Sequence, residues 1–102
     1  MGWKKFSGGG CAVVQVEGRV DGSTWPAFHA FLASAVKEAA SDRMPLRIDL
    51  SGLDYISTHG LRVLTGVVRE AARDVPVTLS ARGAVREILD LTGVGSLFKI
   101  DE

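Results

Sequence analysis

The stretch Asp49-Leu50-Ser51-Gly52-Leu53-Asp54-Tyr55-Ile56-Ser57-Thr58-His59-Gly60-Leu61 joins an alternating segment to a helically periodic one. Leu46-Arg47-Ile48-Asp49-Leu50 alternates apolar and polar residues, the period of a strand with Leu46, Ile48 and Leu50 on one side. Beyond the junction, Leu61, Leu64, Val67, Val68, Ala71 and Ala72 trace a helical stripe, with Arg62, Arg69, Glu70 and Arg73 off it. A polar turn lies between them, and Ser57 and Thr58 stand where the helix begins. A hydroxyl there caps free backbone N–H groups. The same place suits a phosphate, because those N–H groups and the helix dipole favour negative charge.

Working outward, residues 1–10 form a short strand or tail followed by a Gly8-Gly9-Gly10 turn, and Cys11–Glu17 is a β-rich run that ends at Gly18. In the polar segment that follows, Ser23 or Thr24 is placed to cap a helix with Pro26 in its first turn. Phe28, Phe31, Leu32, Ala35, Val36 and Ala39 then recur at amphipathic spacing, to an end near Ser41-Asp42-Arg43. Pro76–Ser80 is a short strand. Ala84, Val85, Ile88, Leu89 and Thr92 predict a third helix stopped by Gly93, and Val94–Ile100 a turn and closing segment. Helices are thus expected near 26–40, 60–73 and 83–92. Gly60 and Gly66 each weaken the second by up to about 1 kcal/mol, and close packing on a sheet is the expected reason. Strands alternating with helices predict an α/β fold: a mixed, mainly parallel sheet of four or five strands with helices packed on it, in a single domain over residues 1–102.

Composition narrows the function. The chain is 46% hydrophobic and 24% charged, ordinary for a globular domain, and its 12 basic residues balance 12 acidic ones. That balance argues against a broad footprint for nucleic acid or anionic lipid. Its single cysteine, Cys11, excludes an intrachain disulfide. With no secretion signal visible, the cytoplasm is the expected compartment. No apolar run approaches the roughly 20 residues needed to span a bilayer. His29 and His59 lie far apart without cysteine or histidine neighbours, so no metal or other cofactor is expected.

The junction resembles the signature of the STAS family (sulphate transporter and anti-sigma factor antagonist), in which a strand reading Asp-Leu-Ser leads through a short turn to Asp-Ser-Ser-Gly-Leu. Gly18-Arg19-Val20-Asp21 resembles the family's Gly-x-Leu-Asp, Ala84–Gly93 its closing helix and Leu97–Ile100 its C-terminal end. The resemblance covers about residues 10–100. It implies a small α/β domain. For a free-standing bacterial member it implies an anti-anti-sigma factor that binds a serine/threonine-kinase anti-sigma factor. The kinase phosphorylates the hydroxyl before the second helix, which abolishes binding, and a phosphatase resets the cycle. By position Thr58 matches the phospho-acceptor, Ser57 the family's Asp and His59 its second Ser.

On that resemblance Asp21, Ser57, Thr58, His59 and Gly60 are the expected partner-binding residues, with Thr58 the acceptor and Ser57 its backup. Each has a plainer reading: Ser57 a cap, His59 a solvated first-turn residue, Asp21 a turn residue bonding its own backbone. Trp25 is expected to be exposed, Phe28 and Phe31 to be core, and Arg62, Arg69 and Arg73 to be a solvated helix face. No catalytic activity is expected. A rival reading is a docking subunit of a larger assembly, such as a lipid-transport ATPase or a stress-sensing complex, without phosphorylation. More remote is a hydrolase using Thr58 and His59. Adjacent residues at a helix start diverge by about 100°, and no orienting carboxylate is evident for it.

Overall fold

A computed structural model describes residues 2–92 and the backbone of 99–101. The elements run β1 (Gly2–Gly8), β2 (Cys11–Val20), α1 (Trp25–Asp42), β3 (Leu46–Ile56), α2 (Thr58–Ala71), β4 (Val77–Ser80), α3 (Gly83–Leu91) and β5 (Lys99–Asp101). They form one five-stranded sheet in the order β1-β2-β3-β4-β5. β1 is antiparallel to β2, and the remaining pairs are parallel. The expected mixed, mainly parallel sheet with three helices is therefore present. Gly93, proposed from sequence to stop α3, and most of the closing segment after it lie outside the described residues.

Residues 2–10 begin a β-hairpin arm rather than a tail. Gly9 and Gly10, with φ of 60° and 80°, form a two-residue turn that only glycine enters freely. Trp3 on β1 then stacks on Phe31 of α1, with ring centroids 5.2 Å apart.

Among the described residues one helix lies between the strands of each parallel pair, and strand order advances steadily in one direction. Crossovers of a single hand then place all the helices on one face. One continuous core follows, in which Phe28 and Leu32 of α1, Leu64 and Val68 of α2 and Leu89 of α3 pack with Val14, Ile48, Leu50 and Leu79 of the sheet. The other face carries Gln15, Arg47, Asp49 and Thr78, all half-buried. Helix α1 stops at Arg43, whose left-handed φ of 54° lets its N–H and that of Met44 satisfy the last carbonyls.

The expected end of the third strand at Leu50 is corrected. β3 continues to Ile56 through two irregularities against β2. Pairing passes from Gln15–Asp49 to Glu17–Gly52, and from Gly18–Leu53 to Arg19–Tyr55, so β3 carries an extra residue each time. Its buried residues are accordingly 46, 48, 50, 53 and 56: period two up to Leu50, period three after it. Asp49 holds the first bulge, its Oδ1 accepting from the Ser51 amide at 2.9 Å and hydroxyl at 2.6 Å. Gly52 is required there, since an added Cβ would lie 2.9 Å from Cβ of Glu17.

Candidate functional site

The bulged end of β3 delivers Ser57 beside the end of β2, where its N–H donates to the Val20 carbonyl at 2.8 Å. Parallel strands point their carboxyl ends at this edge, the usual place for binding sites in open α/β sheets. Two loops meet here: the β2–α1 turn with Asp21, and the β3–α2 junction.

Ser57 is the cap of α2. Its backbone is extended and its Oγ accepts from the Gly60 N–H at 3.1 Å. That leaves Thr58 as the first helical residue, exposed, with a hydroxyl that bonds no described residue. Capping by Ser57 predicts that Ser57→Ala lowers stability by about 1 kcal/mol. Chemical denaturation tests it, and an unchanged midpoint would deny the cap its role.

His59 is exposed but not merely solvated, for its ring packs on Trp25 with centroids 4.2 Å apart at 51°. Trp25 is correspondingly half-buried, not the exposed aromatic expected, and Phe31 is half-buried under Trp3 rather than core. Gly60 is buried, because α2 approaches the sheet at that point. A Cβ there would stand 2.5 Å from Cγ1 of Val20 and 3.2 Å from Cγ1 of Ile56. The expected packing reason thus holds for Gly60. It fails for Gly66, where an added Cβ meets nothing within 4 Å.

Asp21 organises its own turn. Its Oδ1 accepts from the Ser23 and Thr24 amides at 3.0 and 3.2 Å and from the Ser23 hydroxyl at 2.8 Å. Neither Ser23 nor Thr24 caps α1 through its side chain, contrary to expectation. The Thr24 hydroxyl turns back instead, accepting from the Asp21 N–H and donating to the Arg19 carbonyl, both at 2.8 Å. Arg19 in turn lies over the ring of Tyr55, 4.6 Å from its centroid. Tyr55 and Arg19 were not singled out in the sequence; their contact depends on the second bulge of β3.

Two carboxylates here have lowered pKa values. The Ser23 hydroxyl, then its amide and Thr24, hold Asp21 down. At Asp49 burial pushes upward but is outweighed by the Ser51 hydroxyl and amide, Gln15 and the charge of Arg47. A carboxylate with a lowered folded pKa contributes stability that is present above its unfolded pKa, about 3.9. That contribution is lost as pH falls through the folded value. Thermal melts from pH 6 to 3 should therefore show an acid loss of stability that Asp49→Asn makes shallower. An identical acid limb in the variant would remove Asp49 from the account.

The described residues contain no group of three or more metal-ligating side chains and no helix long and apolar enough to cross a membrane. The family model described as Mlab, STAS domain, matches residues 6–99. The chain belongs to the STAS domain family. The anti-sigma-F factor antagonist RsfB of Mycobacterium tuberculosis is 30% identical to it over 93 residues, 89% of this chain and 73% of RsfB. Among solved structures, an anti-sigma factor antagonist from Mycobacterium paratuberculosis superposes with a TM-score of 0.77 at 28% identity, covering 97% of this STAS domain and 85% of that chain. The anti-sigma factor antagonist SpoIIAA, in its unphosphorylated form, superposes at 0.68 over 99% of this chain and 88% of its own. At 14% identity it shares the fold.

Proposed function

We propose that this STAS domain is an anti-sigma factor antagonist. It acts in the cytoplasm by reversible binding to a serine/threonine-kinase anti-sigma factor, without catalysis of its own. Residues 1–102 work as one domain. The binding surface is the edge where Asp21 and Ser57–Gly60 meet, and phosphorylation of Thr58 by the bound kinase ends the complex until a phosphatase restores it. One observation carries the reading: Ser57 takes the capping bond, leaving the Thr58 hydroxyl exposed on the first helical turn in a chain 30% identical to an anti-sigma-F factor antagonist. Phosphate added there would face free N–H groups and the positive end of the α2 dipole, so the fold tolerates it.

Two side-chain roles follow. Asp21 pre-forms the β2–α1 turn, and the Trp25–His59 contact ties that turn to the α2 start, so a partner meets a rigid edge. Ser57 stands where the family has an acid, and its hydroxyl is committed to the cap, which makes Thr58 the acceptor of the two. Incubation with the anti-sigma kinases of its own genome and ATP, followed by mass spectrometry, tests this. Phosphate is expected on Thr58 and on no residue of Thr58→Ala. A kinase that binds and leaves the chain unphosphorylated would overturn the cycle in favour of a docking role.

A further inference from the structure

Next to the edge just described, the outward face of α2 carries a row of three arginines. Successive residues turn by about 100° around a helix. Arg62, Arg69 and Arg73 therefore fall within an arc of about 40°, on the side opposite the buried Leu64, Val67 and Ala71. Arg73 lies in the turn just after the helix and lines one cleft with Gly66, Arg69 and Glu70. A second cleft, of about 380 Å³, is lined by Thr58, Arg62, Gly66 and Arg69. All three arginines are exposed, and none forms an ion pair with a described residue. Glu70, the one acid of α2, sits about 100° from Arg69, at the rim between the Arg69–Arg73 cleft and the one facing α1, and pairs with none of the three arginines.

Local physics accounts for only part of this. Arginine near a helix C-terminus is favoured by the dipole, which covers Arg69 and Arg73. Arg62 stands toward the other end, where a cation gains nothing from it. Gly66 is likewise unexplained from within the chain. A mid-helix glycine is unfavourable, and no neighbour needs the space its missing Cβ leaves. It sits in the middle of the arginine row, where a bare backbone lets another chain come close.

We infer that this face of α2, from Arg62 over Gly66 to Arg73, docks an acidic segment of a partner protein. The row is about 16 Å long, matching some three turns of an acidic helix. Protein fits better than nucleic acid, because the row is short, holds no aromatic residue and belongs to a chain of zero net charge. It fits better than a membrane, because Thr65 and Gly66 lie between the arginines and Leu61, the one apolar residue lining the cleft, is half-buried, which leaves no exposed apolar side chain to insert. The inference does not require that Thr58 be phosphorylated or that the partner be an anti-sigma factor.

The test is an NMR titration of the full-length, nitrogen-15-labelled chain with three probes. They are a 15-residue helical peptide bearing Glu on one face, a duplex DNA of equal charge, and phosphatidylglycerol vesicles. The Glu peptide should shift the amides of residues 62–73, more strongly at low salt. Replacing Arg62, Arg69 and Arg73 together by Glu should weaken it at least tenfold and create binding to the matching Lys peptide. Gly66→Gln should weaken the Glu peptide at least fivefold while melting no lower than wild type, which separates lost docking from lost folding. Amide shifts elsewhere, unchanged affinity in Gly66→Gln, or tighter binding of the duplex or vesicles would each overturn the inference.

Discussion

Thr58→Glu should bind the anti-sigma factor at least tenfold more weakly than wild type, a loss of about 1.4 kcal/mol or more, with its melting temperature unchanged or slightly higher. Both halves have one cause. Residue 58 is exposed on the first turn of α2, so a carboxylate there meets the positive end of the dipole, worth about 0.3–1 kcal/mol to the fold. A partner seated on the same edge must instead desolvate that charge. A phosphate, at about −1.5 to −2, would act in the same direction more strongly. The arginine row extends the expectation: a carboxylate at 58 lies one turn from Arg62 and would compete with an acidic partner for it. Calorimetric titration with a purified anti-sigma factor and a thermal melt read the two quantities separately. Equal affinity for wild type and variant would sink the proposed binding edge. Lost affinity with a lower melting temperature would point to damage instead.

Gly60→Ala and Gly66→Ala, six residues apart on one helix, should move stability in opposite directions. Helix propensity favours Ala at both by up to about 1 kcal/mol. At Gly60 the new Cβ would stand 2.5 Å from Cγ1 of Val20, a side chain with no solvent exposure of its own. Overpacking of a tight core costs about 1–3 kcal/mol, more than propensity returns. At Gly66 the methyl enters open space. A domain of this size shifts its melting temperature by about 4–8 °C for each kcal/mol. Gly60→Ala should therefore melt several degrees below wild type, and Gly66→Ala at or above it. Coinciding melts for the two variants would mean that α2 does not press on β2 as described.

Most of the secondary structure was legible in the residues themselves, with α1 and α3 placed to within two residues, while α2 runs over 58–71 rather than the expected 60–73. The stripe from Phe28 to Ala39 and the alternation from Leu46 to Leu50 are short-range patterns, and the side-chain periods of helix and strand are local properties of the backbone. That a hydroxyl would cap α2 was legible for the same reason. Which hydroxyl was not. Ser57 wins because β3 continues to Ile56 and its partner β2 binds the Ser57 N–H, so the helix begins at Thr58, two residues before the expected start.

The two bulges of β3 hid the rest of the strand. Each shifts the buried set by one, and a pattern of 46, 48, 50, 53 and 56 reads as a strand that stops at Leu50 until its partner is known. Tyr55 and Arg19 meet only through that register. Asp21 and Trp25 reach Ser57–Gly60 only because β2 and β3 are neighbours, more than thirty residues apart in the chain, and no local period encodes which strands pair. The same holds for the arginines. Spacing alone puts Arg62, Arg69 and Arg73 on one side of a helix. The packed structure alone decides that no described carboxylate reaches them and that the glycine between them supports no neighbour of its own.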